Sequence, residues 1–379
     1  MASLALVLAI GLLGPLLALP RRLGVPIALG ELLVGFIFGS SGLGWVNAAD
    51  PVLHFLQQVG FALVMMVVAS HIDVAKIFTG STWRKAVRNV LATAVLGGAA
   101  GWGIARLTGF EQPALISVLL ISSSAAVALP ATESLKRNSQ LALFVAQVAI
   151  ADLLCVIALP LAFVSKNYWM VGAGALGVSA LAVLLYFLLN WLNHIGWLGR
   201  MRAISKDRGF GLELRLSLII LCGFAAVAQA FSVTVMIAGF SIGLALAANG
   251  VPKRLAKQLF AVAEGFFSPL FFVLLGAQVN VVAALADPKL IVLAVLLSAA
   301  AVVVHLVSRA LGLTWPLAFI SAAQLGVPAA AVAIGQADGS ITPGQAGAIM
   351  LAAMLTVVVA AIATGSATRL AITRSAARK

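Results

Sequence analysis

One carboxylate, Asp152, stands inside the apolar run from about Leu141 to Val164, in the stretch QVAIADLLCVIALP of residues 147–160. It lies about thirteen residues from each end of that run, near the centre of a bilayer-length segment. An ionised aspartate at that depth costs roughly 3 kcal/mol on insertion scales, so it is expected to face a cavity and to be functional. Burial favours the neutral acid, whereas hydration or a bound cation favours the carboxylate. A group so placed can exchange a proton for a metal ion. The structural reading, an aspartate bonded to nearby hydroxyls or helix ends, stays open at this point.

Other polar residues join it as candidates of lesser weight. His305 is the only other titratable group at depth and a candidate proton relay. Glu264 lies shallow in its run and is read as a structural partner or a lining residue of an entry funnel. Gln147, five residues before Asp152, is a lining candidate turned well away from the same helical face. Asp73 and Glu133 end their runs beside basic residues, where structural pairing is expected, and Glu31 lies a few residues into its own run. Cys155 and Cys222 sit in apolar runs and define neither a metal site nor a disulfide.

The elements that must hold these groups follow from composition. Of 379 residues, 63% are hydrophobic and 9% charged, which excludes a soluble domain with a wet surface. Backbone groups in lipid must be satisfied within helices or a closed barrel. The apolar runs, about 17 to 26 residues long, are helical spans rather than short alternating strands. Thirteen are expected, near residues 3–19, 26–40, 52–72, 86–107, 113–130, 139–165, 167–192, 213–229, 232–248, 260–280, 288–312, 316–336 and 343–366. The first is read as a retained span rather than a signal peptide, with no soluble domain before or after the bundle.

Basic residues fall in alternate connections. Arg21, Arg22, Lys76, Arg84, Lys85, Arg88, Lys136, Arg137, the Arg200–Arg208 group, Lys253, Arg254, Lys257, Arg309 and the basic tail share one side, against Arg106, Lys166 and Lys289 on the other. An N-terminus outside and a C-terminus in the cytoplasm of a cell (inner) membrane follow. The net charge of +13 is then a topology signal with affinity for anionic headgroups, and calls for no nucleic acid.

The hydrophilic connection 194–211 divides the chain into a first repeat with a linker helix, 1–193, and a second repeat with a basic tail, 212–379. Halves joined through an odd span have opposite orientations, the arrangement of inverted-repeat transporters with discontinuous helices at the midplane. The fifth span carries Ser122, Ser123, Ser124 and Pro130, and the twelfth carries Ser321, Gln324 and Pro328. Proline removes a backbone donor while Ser and Gln satisfy freed groups, so crossing breaks are expected there.

Four segments resemble one known family in order and over nearly the whole membrane domain: PIALGELLVGFIFGSSGLG at 26–44, SSSAAVALP at 122–130, AGFSIGL at 238–244 and FFVLLG at 271–276. The family is that of the monovalent cation:proton antiporters, in the branch of Kef-type potassium efflux systems and bacterial sodium/proton antiporters. The resemblance implies a thirteen-span inverted repeat, a homodimer, and an ion-binding aspartate on the sixth span, where Asp152 falls. The family's Asp, Asn or Gln before it is here Ala151, its fifth-span Thr is Ala125, and its eleventh-span Lys before Arg309 is Ala300; His305, about 140° around the helix, is not an obvious replacement. Kef-type relatives also carry a nucleotide-binding domain, so any such control is expected from a separate subunit or to be absent.

These readings combine into an expectation: Asp152, with Ser122, Ser123, Ser124 and Gln324, binds a dehydrated Na⁺ or K⁺ in competition with H⁺, by alternating access. One carboxylate implies electroneutral, one-for-one exchange. An antiporter fold with another substrate, a channel and a non-transporting sensor remain as rivals, and the scarcity of charge at depth disfavours a wide pore. No cofactor is expected, and no paired nucleophile and base, metal cluster or phosphate loop points to an enzyme.

Overall fold

The computed structural model describes residues 1–18, 26–48, 50–72, 80–132, 138–163, 168–231 and 233–376, with positions 80, 129–131, 168–171 and 366–376 as backbone only. Arg21, Arg22, Lys76, Lys136, Arg137, Lys166, Arg378 and Lys379 lie outside the described residues, as do Asp73 and Glu133. Every described element is a helix. Among the described residues nine helices are long and apolar enough to cross a membrane. Four shorter apolar segments, Ala2–Leu17, Ile27–Phe38, Pro113–Ala128 and Val235–Asn249, complete the thirteen expected spans. The tenth departs from its expected start: the helix begins at Lys253, because a basic amphipathic turn precedes the apolar part. The connection 194–211 is mostly helical, and Arg202 on its helix Trp197–Asp207 is paired to Glu213 at 3.5 Å.

The chain forms two compact units. The first comprises Met1–Leu53, Lys76–Val164 and Phe272–Lys379; the second comprises His54–Ala75 and Ser165–Phe271. In the second, Gly239 and Gly243 face the Ala62 and Met66 carbonyls so closely that a Cβ at either would overlap the oxygen. Phe61 and Phe271 stack there with centroids 4.4 Å apart.

The first unit holds Asp152. Its relevant helices are α1 (Gly80–Thr108), α2 (Pro113–Ile121), α3 (Ala125–Thr132), α4 (Ser139–Ala162), α5 (Pro288–Ala310), α6 (Trp315–Ser321), α7 (Gly326–Ala337) and α8 (Pro343–Ala376). The fifth span is thus α2 and α3 around a break at Ser122–Ser124, and the twelfth is α6 and α7 around Ala322–Leu325. The expected cause holds for only one of them. Pro328 is the third residue of α7, where its missing N–H has no helical partner to lose, but Pro130 lies within α3. The fifth span breaks at its serines instead.

Contacts within this unit test the alternation of its connections. The Gln112 amide donates to the Ser340 carbonyl at 3.1 Å, and Ser40 Oγ donates to the Ala277 carbonyl at 3.0 Å, joining connections expected on one side. At the other end Arg88 donates to the Leu311 carbonyl at 2.8 Å. The fifth and twelfth spans therefore start from opposite ends, as inverted halves require.

The GELLVGFIFG segment has a physical reading as well. A Cβ on Gly35 would overlap the Val273 carbonyl, and one on Gly276 would overlap the Leu32 carbonyl, so both helices pack backbone to backbone. Gly35→Leu is expected to lower the thermal unfolding midpoint of the purified protein, the overlap costing about 1–3 kcal/mol or more. Gly98→Ala, whose Cβ meets nothing within 4 Å, is expected to leave it unchanged or raise it slightly.

Candidate functional site

The helix α4 is fixed at its start by Asn138, whose side chain accepts from the Leu141 N–H at 2.8 Å. Its body is apolar nearly all round, which suits a helix packed by neighbours on several sides. Asp152 projects from it into the interior at 5% exposure. There the Ala125 N–H, first of α3, donates to Asp152 Oδ2 at 3.4 Å. The carboxylate therefore faces the positive end of a half-helix. Among the described residues it has no ion-pair partner.

The two breaks meet beside it. The Ser124 N–H donates to the Ala323 carbonyl at 2.7 Å, closing one crossing segment on the other. Each first half-helix ends alike: Ser122 Oγ donates to the Leu119 carbonyl at 2.8 Å, and Ser321 Oγ to the Ala318 carbonyl at 2.7 Å. The Gln324 N–H donates to Thr356 Oγ1 on α8 at 3.1 Å, and that hydroxyl donates to the Ala353 carbonyl at 2.7 Å. Two side-chain atoms in the breaks, Ser123 Oγ and Gln324 Nε2, are buried with no protein partner. A carboxylate, an unused hydroxyl and unwound backbone form an oxygen-rich site of the kind a hard monovalent cation takes. Among the described residues no group of three or more His, Cys, Asp or Glu side chains is placed to hold a metal ion.

A profile of the transmembrane sodium/hydrogen exchanger family matches residues 6–369. The chain belongs to that family. Among its relatives, YjbQ of Bacillus subtilis (strain 168) is 26% identical over 93% of this chain and 61% of its own length. The Na⁺/H⁺-K⁺ antiporter GerN of Bacillus cereus is 25% identical over 68% of this chain and 67% of GerN. The chain thus spans about three fifths of YjbQ. The solved structure of the sodium proton antiporter MjNhaP1 from Methanocaldococcus jannaschii matches the fold at a TM-score of 0.66 and 18% identity, over 98% of both chains. The sequence resemblance is borne out, and the protein is a multi-pass membrane protein of an antiporter family.

Within this exchanger fold the candidate residues separate. Asp152, Ser122, Ser123, Ser124 and Gln324 come together around the crossing. Gln147 does not join them: its Oε1 accepts from Asn89 Nδ2 at 3.0 Å, and its Nε2 donates to Ser308 Oγ at 2.7 Å. It bridges α1, α4 and α5, and all three side chains are buried. His305, one turn before Ser308, is buried with Nδ1 donating to the Ala301 carbonyl at 2.9 Å. A carbonyl only accepts, so Nδ1 carries the hydrogen, while Nε2 is buried and makes no close hydrogen bond to a described residue. Glu264 belongs to the second unit, on the π-helical turn Ala263–Phe267. Cys155 Sγ lies 3.6 Å from the Val118 carbonyl, a packed structural thiol.

Sequence reasoning passed over Asn89, Ser308 and Thr356. A faint signal existed for Asn89, which falls with Lys85 and Thr93 at helical spacing on α1. Gln147→Leu strands Asn89 and Ser308 and is expected to destabilise by about 1–3 kcal/mol. Thermal unfolding of Asn89→Leu, Gln147→Leu and the double variant checks this, the double costing less than the sum; strict additivity would deny the bridge.

Proposed function

We propose that the chain exchanges Na⁺ or K⁺ for H⁺ one for one, with Asp152 as the group that both cargoes share. The single observation that carries this reading is a buried carboxylate at a half-helix N-terminus, beside two crossing breaks, with no acid or base paired to it among the described residues. Where a second acid or a lysine stood nearby, a cycle would have further protons to move. Here one carboxylate neutralises one charge in either form, so occupied and protonated states carry the same charge.

Ser123 Oγ, Gln324 and the unwound carbonyls supply the remaining oxygens, and Ser122 and Ser124 set the geometry of the break. Alternating access then carries the neutralised aspartate across the apolar barrier. In this reading residues 1–193 and 212–379 are inverted repeats joined by 194–211. The basic connections face the cytoplasm, with the N-terminus outside an inner membrane, and two copies form a homodimer. Its support is the alternation of basic residues, the opposite starts of the two broken spans, and membership of an exchanger family whose relatives include an Na⁺/H⁺-K⁺ antiporter. His305 remains a proton-relay candidate, and Glu264 a lining residue of the second unit.

The test is proton flux in proteoliposomes holding a pH dye, with Na⁺ or K⁺ added outside. Wild type is expected to exchange at a rate indifferent to membrane potential. Asp152→Asn is expected to fold normally and fall to the protein-free background, while undiminished exchange in that variant would remove the centre of the proposal.

A further inference from the structure

Away from the crossing, the first unit has a cavity of about 160 Å³ at its basic end, with Leu143 and Leu311 beside polar residues in its lining. Ser81, Thr82 and Lys85 line it from the start of α1, Ser139 and Gln140 from the start of α4, and Gly312 from the loop after α5. Three elements distant in sequence therefore converge on one small space. Nothing in the proposed exchange uses it.

Its chemistry is one-sided. Lys85 brings a full positive charge, and Ser81, Thr82 and Ser139 bring hydroxyls that make no hydrogen bond to another described residue. The starts of α1 and α4 add the positive ends of two long helices, the Leu141 N–H of α4 being already taken by Asn138. Neither first turn holds an acidic residue, and among the described residues no Asp or Glu lines the cavity. Helix starts ordinarily gather acids, yet Arg84, Lys85 and Arg88 crowd this one, so the local field is uncompensated among the described residues. The exception to the donors is Gln140 Oε1, buried and without a partner, an acceptor waiting for a donor on whatever binds.

The loop that closes the cavity is held in place. The Arg88 guanidinium donates to the Leu311 carbonyl at 2.8 Å, and the Leu313 N–H donates to the Ser308 carbonyl at 2.9 Å. Gly312 takes a φ of +116°, open to glycine and strained for other residues, which lets the backbone turn across the opening.

We infer that this cavity binds a phosphate-type oxyanion that also carries a hydroxyl, either a soluble phosphate monoester or the phosphate of a glycerol-bearing lipid headgroup. A halide would leave most of the space and the Gln140 acceptor unused, whereas a tetrahedral oxyanion reaches donors on three sides at once. The oxyanion accepts from Lys85 and the hydroxyls, and the ligand's hydroxyl donates to Gln140. Directly along the same three elements lies the Asn89–Gln147–Ser308 bridge. A bound anion thus braces α1, α4 and α5 on the approach to Asp152, an effect that adds to the proposed exchange without being needed for binding.

Binding is read by thermal unfolding, independently of transport. One arm titrates glycerol 1-phosphate into detergent-solubilised protein against sodium chloride at matched ionic strength. The other compares nanodiscs of phosphatidylcholine alone with nanodiscs containing phosphatidylglycerol. Wild type, Lys85→Gln, Thr82→Val and Arg84→Gln, the last a neighbouring cation outside the lining, are compared in both. A rise of roughly 2 °C or more in wild type and Arg84→Gln, lost in Lys85→Gln and reduced in Thr82→Val, establishes the site. The arm that shows the rise names the source. No rise in either arm, or an equal rise in Lys85→Gln, overturns the proposal and reduces the effect to general surface charge.

Discussion

The hydrogen bond from the Ser124 N–H to the Ala323 carbonyl, 2.7 Å long, ties together two places where a membrane span stops being helical. An unwound segment in lipid leaves donors and acceptors with nothing to bond, at several kcal/mol each. Crossing two such segments lets each satisfy part of the other. Ser122, Ser321 and Thr356 take up further backbone groups from their own hydroxyls. Two buried side-chain atoms in the breaks, Ser123 Oγ and Gln324 Nε2, remain without a protein partner. Placing α3 to begin at Ala125 also aims a helix N-terminus at α4, which is why an aspartate is tolerated at position 152 at all.

Under the proposed exchange, that arrangement explains how an isolated carboxylate would suffice. A site built on two acids must manage their repulsion, and one built on an acid and a lysine must break an ion pair to admit a cation. Among the described residues Asp152 has neither neighbour, and its one hydrogen bond comes from the backbone N–H of Ala125. In the proposed exchange, proton and cation compete for the same negative charge, with the protein contributing geometry. The buried Asn89–Gln147–Ser308 bridge supports that geometry from the side, fixing α4 between α1 and α5 without adding charge.

Much of this was legible before any coordinates. The spans follow from composition because lipid leaves the backbone few choices, and Asp152 stands out because a charge at depth is costly. The helical offset of five residues rightly turned Gln147 from Asp152, but which neighbours it meets depends on packing that no single segment encodes. Asn89, Ser308 and Thr356 were hidden for that reason: one polar residue in an apolar helix has meaning only beside its partner. Prolines misled in one half, since Pro130 sits inside α3 and the serines make the break, whereas Pro328 lies where a helix start accepts it. The glycine-rich segments read as family marks in sequence and become mechanical in three dimensions, where Gly35 and Gly276 admit the carbonyls of Val273 and Leu32.

The claim at the centre is that one carboxyl holds either a proton or a cation. Calorimetric titration of the purified protein with NaCl or KCl, in buffers of different ionisation enthalpy and at a pH where the carboxyl is protonated, counts protons released for each cation bound. The account predicts close to one proton per cation, with binding and release lost together in Asp152→Asn. Cation binding without proton release, or release that survives in Asp152→Asn, would contradict it.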